Sequence, residues 1–170
     1  MPSPIGHVLG GALAGGAVTG AATPWWRPAA LLGLLGIAAD LDFLVGLHSQ
    51  QSHSIGATAL VGLVVYVVSG GRIRWALAAS LAYGSHILLD WVGDDTTPPI
   101  GVMALWPFSG GFYQSDLHWF MAIERRYWLS GFVIHNLTAV AREVVLLGPP
   151  LALVWWWRHR RVSSSREAES

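Results

Sequence analysis

Histidine and aspartate side chains recur at short spacings inside otherwise apolar stretches of this 170-residue chain. His86 and Asp90 stand four residues apart, so on an α-helix both would project from one face and could hold the same ion. Asp40 and Asp42 lie near the end of an earlier apolar stretch. Either pair alone is as typical of a buried hydrogen bond as of metal ligation, but the full set favours metal ligation because it comes from four separate segments. The candidate ligands are His7, Asp40, Asp42, His53, His86 and Asp90.

The charges available in the sequence favour a bound cation. A charged side chain at the centre of a membrane helix costs about 2.5 to 3.5 kcal/mol even on lenient insertion scales, so buried carboxylates need partners. The chain has no lysine, and no arginine lies between Arg27 and Arg72, so Asp40 and Asp42 lack a cation nearby in sequence. A divalent ion bound partly by neutral imidazoles would supply that charge. The chain also has no cysteine, which excludes thiolate ligands, disulfides and cysteine nucleophiles.

These residues belong to an unusually apolar chain. Hydrophobic residues make up 53% of it, charged residues 12%, and the mean hydropathy is +0.47, whereas roughly 25% of residues are charged in an average soluble domain. We therefore predict an all-α fold, a polytopic membrane helical bundle with about five transmembrane helices of about 20 residues each. The formal net charge is zero, and the one basic cluster lies beside tryptophans, so no nucleic-acid partner is expected.

Hydropathy and helix-breaking residues set the predicted boundaries. The five predicted membrane helices cover residues 6–22, 29–47, 55–69, 75–91 and about 129–157. The first is rich in glycine and alanine, which suits close helix packing. Residues 93–127 are predicted to form a long structured loop between the fourth and fifth helices, with an amphipathic helix over 116–128. The chain is then one integral-membrane domain over 1–162, followed by a disordered polar tail over 163–170.

The arginines predict an orientation for such a bundle. With five crossings, the arginines after the first helix, after the third helix and in the C-terminal tail all fall on one side, which the positive-inside rule makes cytoplasmic. Arg125 and Arg126 fall on the other side, against the rule. The candidate ligands come out near that opposite, extracytoplasmic face. The N-terminus has no positively charged region before its apolar stretch, so we expect no signal peptide.

Several short motifs occur in a fixed order along the chain. They are Gly6-His7, Asp40-Leu41-Asp42, the loop from His48 to Ser54, Gly84-Ser85-His86 with Asp90, and Leu105-Trp106-Pro107. In order and spacing, residues from about 3 to 108 resemble the YdjM-type family of bacterial membrane-bound metal-dependent hydrolases. The family's proline before the first aspartate is Ala39 here, and the arginine and glycine of its loop are Ser49 and Gln50. The loop arginine could bind an anionic substrate, a role that Arg125 or Arg126 could take here.

The resemblance implies a metal-dependent hydrolase in the bacterial inner membrane. The arginines place its C-terminus in the cytoplasm if the chain is multi-pass. The family is similar to zinc-dependent phospholipase C and to zinc-dependent nucleases, in which an aspartate, separated histidines and a His-x-x-x-Asp hold part of a zinc cluster. Their additional His-x-x-x-Glu has no counterpart after His118 or His135, so we expect one or two divalent ions rather than three. Zinc is the first expectation, with manganese and magnesium as alternatives.

The remaining candidates are expected to act around the ligands. Asp42 or Asp94 could be the general base, although a solvated loop position is the alternative for Asp94. His48, Ser54 and Ser85 flank the ligands and are expected to hydrogen-bond to them, with a solvent-facing position as the alternative for His48. The expected substrate contacts are Trp91, Trp106, Arg125 and Arg126. Packing in an interfacial aromatic belt is the alternative for the two tryptophans.

The predicted function is a membrane-embedded metal-dependent hydrolase that acts on a phosphoester of a lipid or lipid-linked substrate through a metal-activated water. Membrane lipids are the expected partners. The first alternative is a metal or cation carrier, since intramembrane aspartates and histidines also mark ion pathways. A carrier often has an internal repeat, and the sequence shows none. The second alternative is a non-catalytic membrane protein with a structural metal site.

Overall fold

A computed structural model describes residues 1–19, 26–45 and 48–167. The fold is all-α, as predicted, and these described residues contain no β-strand, only two isolated bridges. Their α-helices are α1 (Pro4–Gly16), α2 (Trp26–Gly36), α3 (Ile55–Val68), α4 (Ile73–Val92) and α5 (Phe132–Glu167). Two 3-10 segments, Ala38–Val45 and Gln51–His53, lie between α2 and α3.

The prediction of about five transmembrane helices is wrong. Among the described residues, only α5 contains a stretch long and apolar enough to cross a membrane, Phe132–Arg160. The helices α1, α2 and α3 have 13, 11 and 14 residues, which gives lengths of about 16 to 21 Å against roughly 30 Å of hydrocarbon. α4 has 20 residues but carries Arg74, His86 and Asp90. The multi-pass topology and the orientation deduced from the arginines required five crossings, so neither is supported.

The predicted helix over residues 29–47 is divided in the structure. α2 ends at Gly36, and the chain continues as the 3-10 segment Ala38–Val45, which carries Asp40 and Asp42. Since a 3-10 helix has three residues per turn, positions two apart are separated by about 240° around its axis. The two carboxylates therefore leave the segment in different directions. Residues 46 and 47, which the prediction also included, lie outside the described residues.

Backbone hydrogen bonds fix the long loop between α4 and α5 without a helix. The amide of Trp119 donates to the carbonyl of Val92 at 2.8 Å, and the amide of Asp94 donates to the carbonyl of Phe120 at 2.8 Å. These long-range bonds take the place of helical ones, so the amphipathic helix predicted over 116–128 is wrong. α5 continues to Glu167, into the segment predicted as a disordered tail.

Small residues bring α1 close to its neighbours α2, α4 and α5, as predicted. Gly11 of α1 faces Gly36 of α2. A Cβ on Gly36 would lie 2.3 Å from the carbonyl oxygen of His7, and a Cβ on Gly11 would lie 2.5 Å from the carbonyl oxygen of Leu32. Both distances are far inside van der Waals contact, so a side chain at either position would push the two helices apart. This glycine contact places His7 against α2.

α5 runs parallel to α1 and binds it at both ends. The buried carboxylate of Glu143 accepts a hydrogen bond from the backbone amide of Ser3 at 2.6 Å and another from the Ser3 hydroxyl. The guanidinium of Arg158 donates to the carbonyl of Gly16 and to the hydroxyl of Thr19. A negative group therefore lies at the N-terminus of α1 and a positive group at its C-terminus, which is the arrangement that a helix dipole favours.

The glycine contact predicts a stability change. We expect Gly36→Ala to lower the free energy of unfolding by about 1–3 kcal/mol or more, because the added methyl overlaps the carbonyl of His7 and the packed helices have little room to give. Denaturation of the purified protein followed by circular dichroism measures the change. Gly110→Ala is the matched control, since nothing lies within 4 Å of its added Cβ. Equal stabilities for the two variants would contradict the proposed contact.

Candidate metal centre

Polar side chains from four segments meet between α1, α3 and α4. α1 supplies His7 near its start, and α4 supplies His86 and Asp90 in its last turns. The 3-10 segments supply Asp40 and His53. Five of the six ligands predicted from the sequence are therefore brought together around one point. The sixth, Asp42, lies one contact further out.

Two imidazole nitrogens lie close to each other and to two carboxylate oxygens. Nε2 of His86 lies 3.0 Å from Nε2 of His53, 3.1 Å from Oδ2 of Asp90 and 3.5 Å from Oδ1 of Asp40. Nε2 of His53 lies 3.6 Å from the same Asp90 oxygen and 3.8 Å from the same Asp40 oxygen. A tetrahedron with zinc–ligand bonds of about 2.0–2.1 Å has edges of about 3.3–3.4 Å. The observed distances bracket that value.

Hydrogen bonds on the far side of each imidazole fix its tautomer. Nδ1 of His86 donates to the carbonyl of Gly36 at 2.8 Å, and Nδ1 of His53 lies 3.1 Å from Oδ2 of Asp42. Since a carbonyl and a carboxylate accept, each Nδ1 carries a proton, and Nε2 of each ring faces the centre. The two Nε2 atoms lie 3.0 Å apart. Two neutral rings in this arrangement would direct their lone pairs at each other, so a proton on Nε2 of His53 or a metal cation must lie between the nitrogens.

The carboxylate of Asp90 is buried, and neither of its oxygens has a hydrogen-bond partner among the described residues. Oδ1 faces Nε2 of His7 at 3.4 Å, and the His7 ring stacks on the ring of His86 with centroids 3.8 Å apart. A buried carboxylate without partners is costly, and a divalent cation is a partner that both oxygens could bind. Because its two oxygens face different imidazoles, Asp90 could also bridge two ions.

Two separate sets of ligand atoms fit the expectation of one or two ions. Within each set, the ligand atoms lie within 4.8 Å of one another. The sets are His7, His86 and Asp90, and Asp40, His48 and His53. The donors are imidazole nitrogens and carboxylate oxygens, a combination that suits zinc and also manganese.

Asp42, predicted both as a ligand and as a general base, instead orients two imidazoles. Its carboxylate accepts hydrogen bonds from Ser52 Oγ at 2.6 Å, from His48 Nδ1 at 2.9 Å and from His53 Nδ1 at 3.1 Å. Burial disfavours its charged form, but these bonds outweigh burial and hold the pKa of Asp42 well below its usual value. With its oxygens engaged in this way, Asp42 serves as the carboxylate behind a ligating histidine.

Three of the candidate ligands, His53, Asp90 and His7, have shifted pKa values. Burial disfavours the charged form of His53, but hydrogen bonds to Asp40 and Asp42 outweigh it and raise the pKa of His53 to about 9. Burial also opposes ionisation of Asp90, yet the neighbouring His86 and His7 hold the pKa of Asp90 well below its usual value. Burial lowers the pKa of His7. The centre therefore concentrates negative charge at a place where protons and metal ions compete.

The structure separates Asp94, Ser54 and Ser85 from this centre. Asp94 forms an exposed pair with His118 at 3.2 Å, which matches the solvated-loop alternative. The Ser54 hydroxyl caps α3 by accepting from the amide of Ala57 at 3.1 Å. The Ser85 hydroxyl donates to the carbonyl of Ala82 one turn earlier in α4. The two serines therefore bond to backbone, and the prediction that they hydrogen-bond to the ligands is wrong.

The expected substrate contacts lie in different surroundings. Trp91 lines an apolar cavity of about 450 Å³ between α3, α4 and the long loop. Trp106 packs its ring and carbonyl against Gly56 at the start of α3. Arg126 forms an ion pair with Glu124 at 2.7 Å. Arg125 lies apart from the ligands, over the ring of Phe43.

Two positioning groups were missed at the sequence level. Tyr83 donates its hydroxyl to the carbonyl of Ser52 at 2.8 Å and so ties α4 to the segment that carries His53. Its spacing of three and seven residues from His86 and Asp90 puts all three on one helix face, which was a usable signal. The carbonyl of Gly36, which fixes His86, has no side chain and left no signal in the sequence.

One comparison with known proteins gives a match. The family model described as YdjM inner membrane protein matches residues 1–163 of the chain. No curated protein and no solved structure matches it, so similarity to zinc-dependent phospholipase C or nucleases is not shown. The match confirms the family that the motifs suggested and supports an inner-membrane location. The family description specifies neither an activity nor a metal.

Removing a ligand should abolish metal binding. We expect His86→Ala and Asp90→Asn each to lower zinc affinity by more than about 100-fold, a loss larger than that typical of outer-shell changes. Competition with a chromophoric chelator measures the affinity, and circular dichroism checks that the variants fold. His118→Asn is the control, because that exposed histidine lies outside the ligand set. Wild-type affinity in both ligand variants would refute the centre.

Asp42→Asn tests the orienting role of that carboxylate. We expect zinc affinity to fall by about 10–100-fold, because an amide in place of the carboxylate cannot accept hydrogen bonds from both His53 and His48 in the same way. The same chelator competition measures the loss. A change as large as that of His86→Ala would instead indicate that Asp42 binds the ion directly.

Proposed function

The chain belongs to the YdjM inner membrane protein family, and from this premise we propose that it is a membrane-associated metal-dependent hydrolase acting on a phosphoester of a lipid or lipid-linked substrate. The observation that carries the proposal is the convergence of His53, His86, Asp40 and Asp90. The two imidazole Nε2 atoms lie 3.0–3.8 Å from each other and from one oxygen of each carboxylate. Zinc is the proposed ion, and the lone pairs of the two imidazoles would be directed at it.

Access to the ion favours catalysis over a purely structural site. The side chain of Asp40 is 27% exposed, whereas those of His53, His86 and Asp90 are 0% exposed. Catalytic zinc sites have three protein ligands and an open position for water, whereas structural sites are closed by four protein ligands. In a catalytic arrangement His53, His86 and Asp90 would hold the ion, and the fourth position, beside Asp40, would be left for water. The exposed side of the centre is the Asp40 side, so a substrate would approach there.

A bound divalent ion supplies a Lewis acid and lowers the pKa of a coordinated water to about 7. The chain's own residues would accept the proton and hold the ligands in place. Asp40, with one oxygen toward the imidazoles, has a second oxygen with which to accept a proton from the attacking water. Asp42 holds His53 and His48 in place and would keep the Nε2 atom of His53 directed at the ion.

Two observations support a lipid-like substrate. The family is an inner-membrane family, and α5 contains a stretch that could cross a membrane. α4, which carries His86 and Asp90, also contributes Ile87, Leu88 and Trp91 to the apolar cavity of about 450 Å³. A substrate with a phosphoester head and an apolar tail would suit this combination.

The alternative with support in the structure is a non-catalytic role with a structural metal, because three of the four ligand side chains are fully buried. A cation carrier has no specific observation in its favour. The two proposed functions differ in turnover, because a structural site binds its ion without catalysing a reaction.

The decisive experiment assays purified protein for bound metal and for hydrolysis of phosphodiester and phosphomonoester lipids. After chelation and reloading with zinc or manganese, we expect turnover that His86→Ala and Asp90→Asn lower by more than about 100-fold. His118→Asn should retain wild-type turnover. Full metal loading without turnover on any ester would overturn the hydrolase and favour the structural site, and an absence of bound metal would overturn both.

A further inference from the structure

A cavity of about 260 Å³ adjoins the metal centre through His48 and contains an arginine. Its walls include Phe43, His48, Ser49, Thr97 and Arg125. The ring of His48 is in edge contact with the ring of His53, with centroids 4.9 Å apart, and its Nδ1 bonds to Asp42. We propose that Arg125 binds the anionic phosphate group of the substrate in this cavity, which we name the His48 cavity. This inference rests on the proposed function and identifies the recognition residue for it.

A stack of three planar groups holds the guanidinium of Arg125. It lies 4.7 Å from the centroid of the Phe43 ring, and that ring stacks on His48 with centroids 3.7 Å apart. Stacking of this kind restricts a guanidinium while leaving its N–H groups available at the edge. Five N–H donors in a planar fork match the oxygens of a phosphate. Arg125 is therefore positioned to bind an anion on the side of Phe43 and His48.

The charge of Arg125 is not neutralised within the described part of the chain, where its side chain has no ion pair and no hydrogen bond. Arg126, its neighbour, donates from Nε and Nη2 to the carboxylate of Glu124 at 2.9 and 2.7 Å. Asp95, the acid that also lines the His48 cavity, accepts from the amides of Thr97 and Gly101 instead. Of the two candidate arginines, Arg125 is the one left to bind a ligand.

The backbone before Arg125 is anchored although it is not helical. The amide of Glu124 donates to Asn136 Oδ1 at 2.8 Å, and Asn136 Nδ2 donates back to the carbonyl of Glu124 at 2.9 Å. His135 Nε2 donates to the carbonyl of Ala122 at 2.8 Å. Both partners lie in the first turns of α5. This anchoring fixes where the arginine side chain begins, which reduces the entropy lost when it binds a ligand.

The His48 cavity also continues into a larger polar space. Arg125, Asp95 and Thr97 line both the His48 cavity and a neighbouring cavity of about 490 Å³. Arg125 thus lies at their junction. A phosphate held there would lie in the His48 cavity with further space beside it in the larger one.

The test compares Arg125→Gln with wild type in the zinc-loaded protein, using inorganic phosphate as a calorimetric probe and short-chain phosphatidic acid as the lipid probe. A charge-assisted hydrogen bond contributes about 1.5–3 kcal/mol, so we expect affinity for phosphate to fall by about 10–100-fold. KM for a phosphoester substrate should rise by a similar factor, while kcat and zinc content stay near wild type. Arg125→Lys should recover only part of the loss, because an ammonium cannot form the planar fork.

Arg142→Gln is the control, since that arginine donates to the carbonyl of His118 and lies outside the His48 cavity. If Arg125→Gln binds both probes more weakly, Arg125 recognises the phosphate itself. If it binds only phosphatidic acid more weakly, Arg125 recognises the lipid headgroup. Both results support the proposal. Wild-type binding of both probes by Arg125→Gln, or a loss seen with Arg126→Gln instead, would overturn it. Phosphate binding that depends on Arg125 without any ester turnover would refute the hydrolase alone.

Discussion

The centre depends on two imidazole nitrogens, Nε2 of His53 and Nε2 of His86, that face each other across 3.0 Å. The Nδ1 atom of each ring already has a partner. In His86 it is the carbonyl of Gly36, and in His53 it is the carboxylate of Asp42. The surrounding fold holds this arrangement in place. α2 ends where its last carbonyl can fix one ring, and the following 3-10 segment directs one carboxylate to the front of the site and the other behind it. A cation is the natural complement to such a site.

Local spacing predicted the part of the site that one helix carries. His86 and Asp90 share a face of α4, as any pair four residues apart must, and that relation does not depend on the rest of the fold. The meeting of His7, Asp40 and His53 with them was inferred from the family motifs and from an assumed membrane topology. The family motifs predicted this convergence correctly, whereas the assumed membrane topology is not supported by the structure. The ligands converge because short helices pack around α1.

The failures have local physical causes. Hydropathy counted the apolar residues of 29–47 as one helix, but a count of apolar residues does not register that the chain changes helix type after Gly36. It also could not separate the roles of Asp40 and Asp42, because their directions depend on that change. Glu143 lies within the apolar stretch predicted as the fifth helix. In the structure its carboxylate is buried against the start of α1, a pairing between residues 140 positions apart that no local pattern contains.

Because α5 contacts α1 at two points, the distance between those points along α5 must match the length of α1. Glu143 and Arg158 are separated along α5 by about 22 Å, and the Ser3–Gly16 stretch that they bracket measures about 20 Å. Substitutions of the exposed side chains of α5, such as Val145 and Leu153, would leave this match unchanged. An insertion or deletion between Glu143 and Arg158 would not, since it would rotate one group away from α1 by about 100° per residue. Length, more than composition, is therefore the property of α5 that keeps His7 in the metal centre.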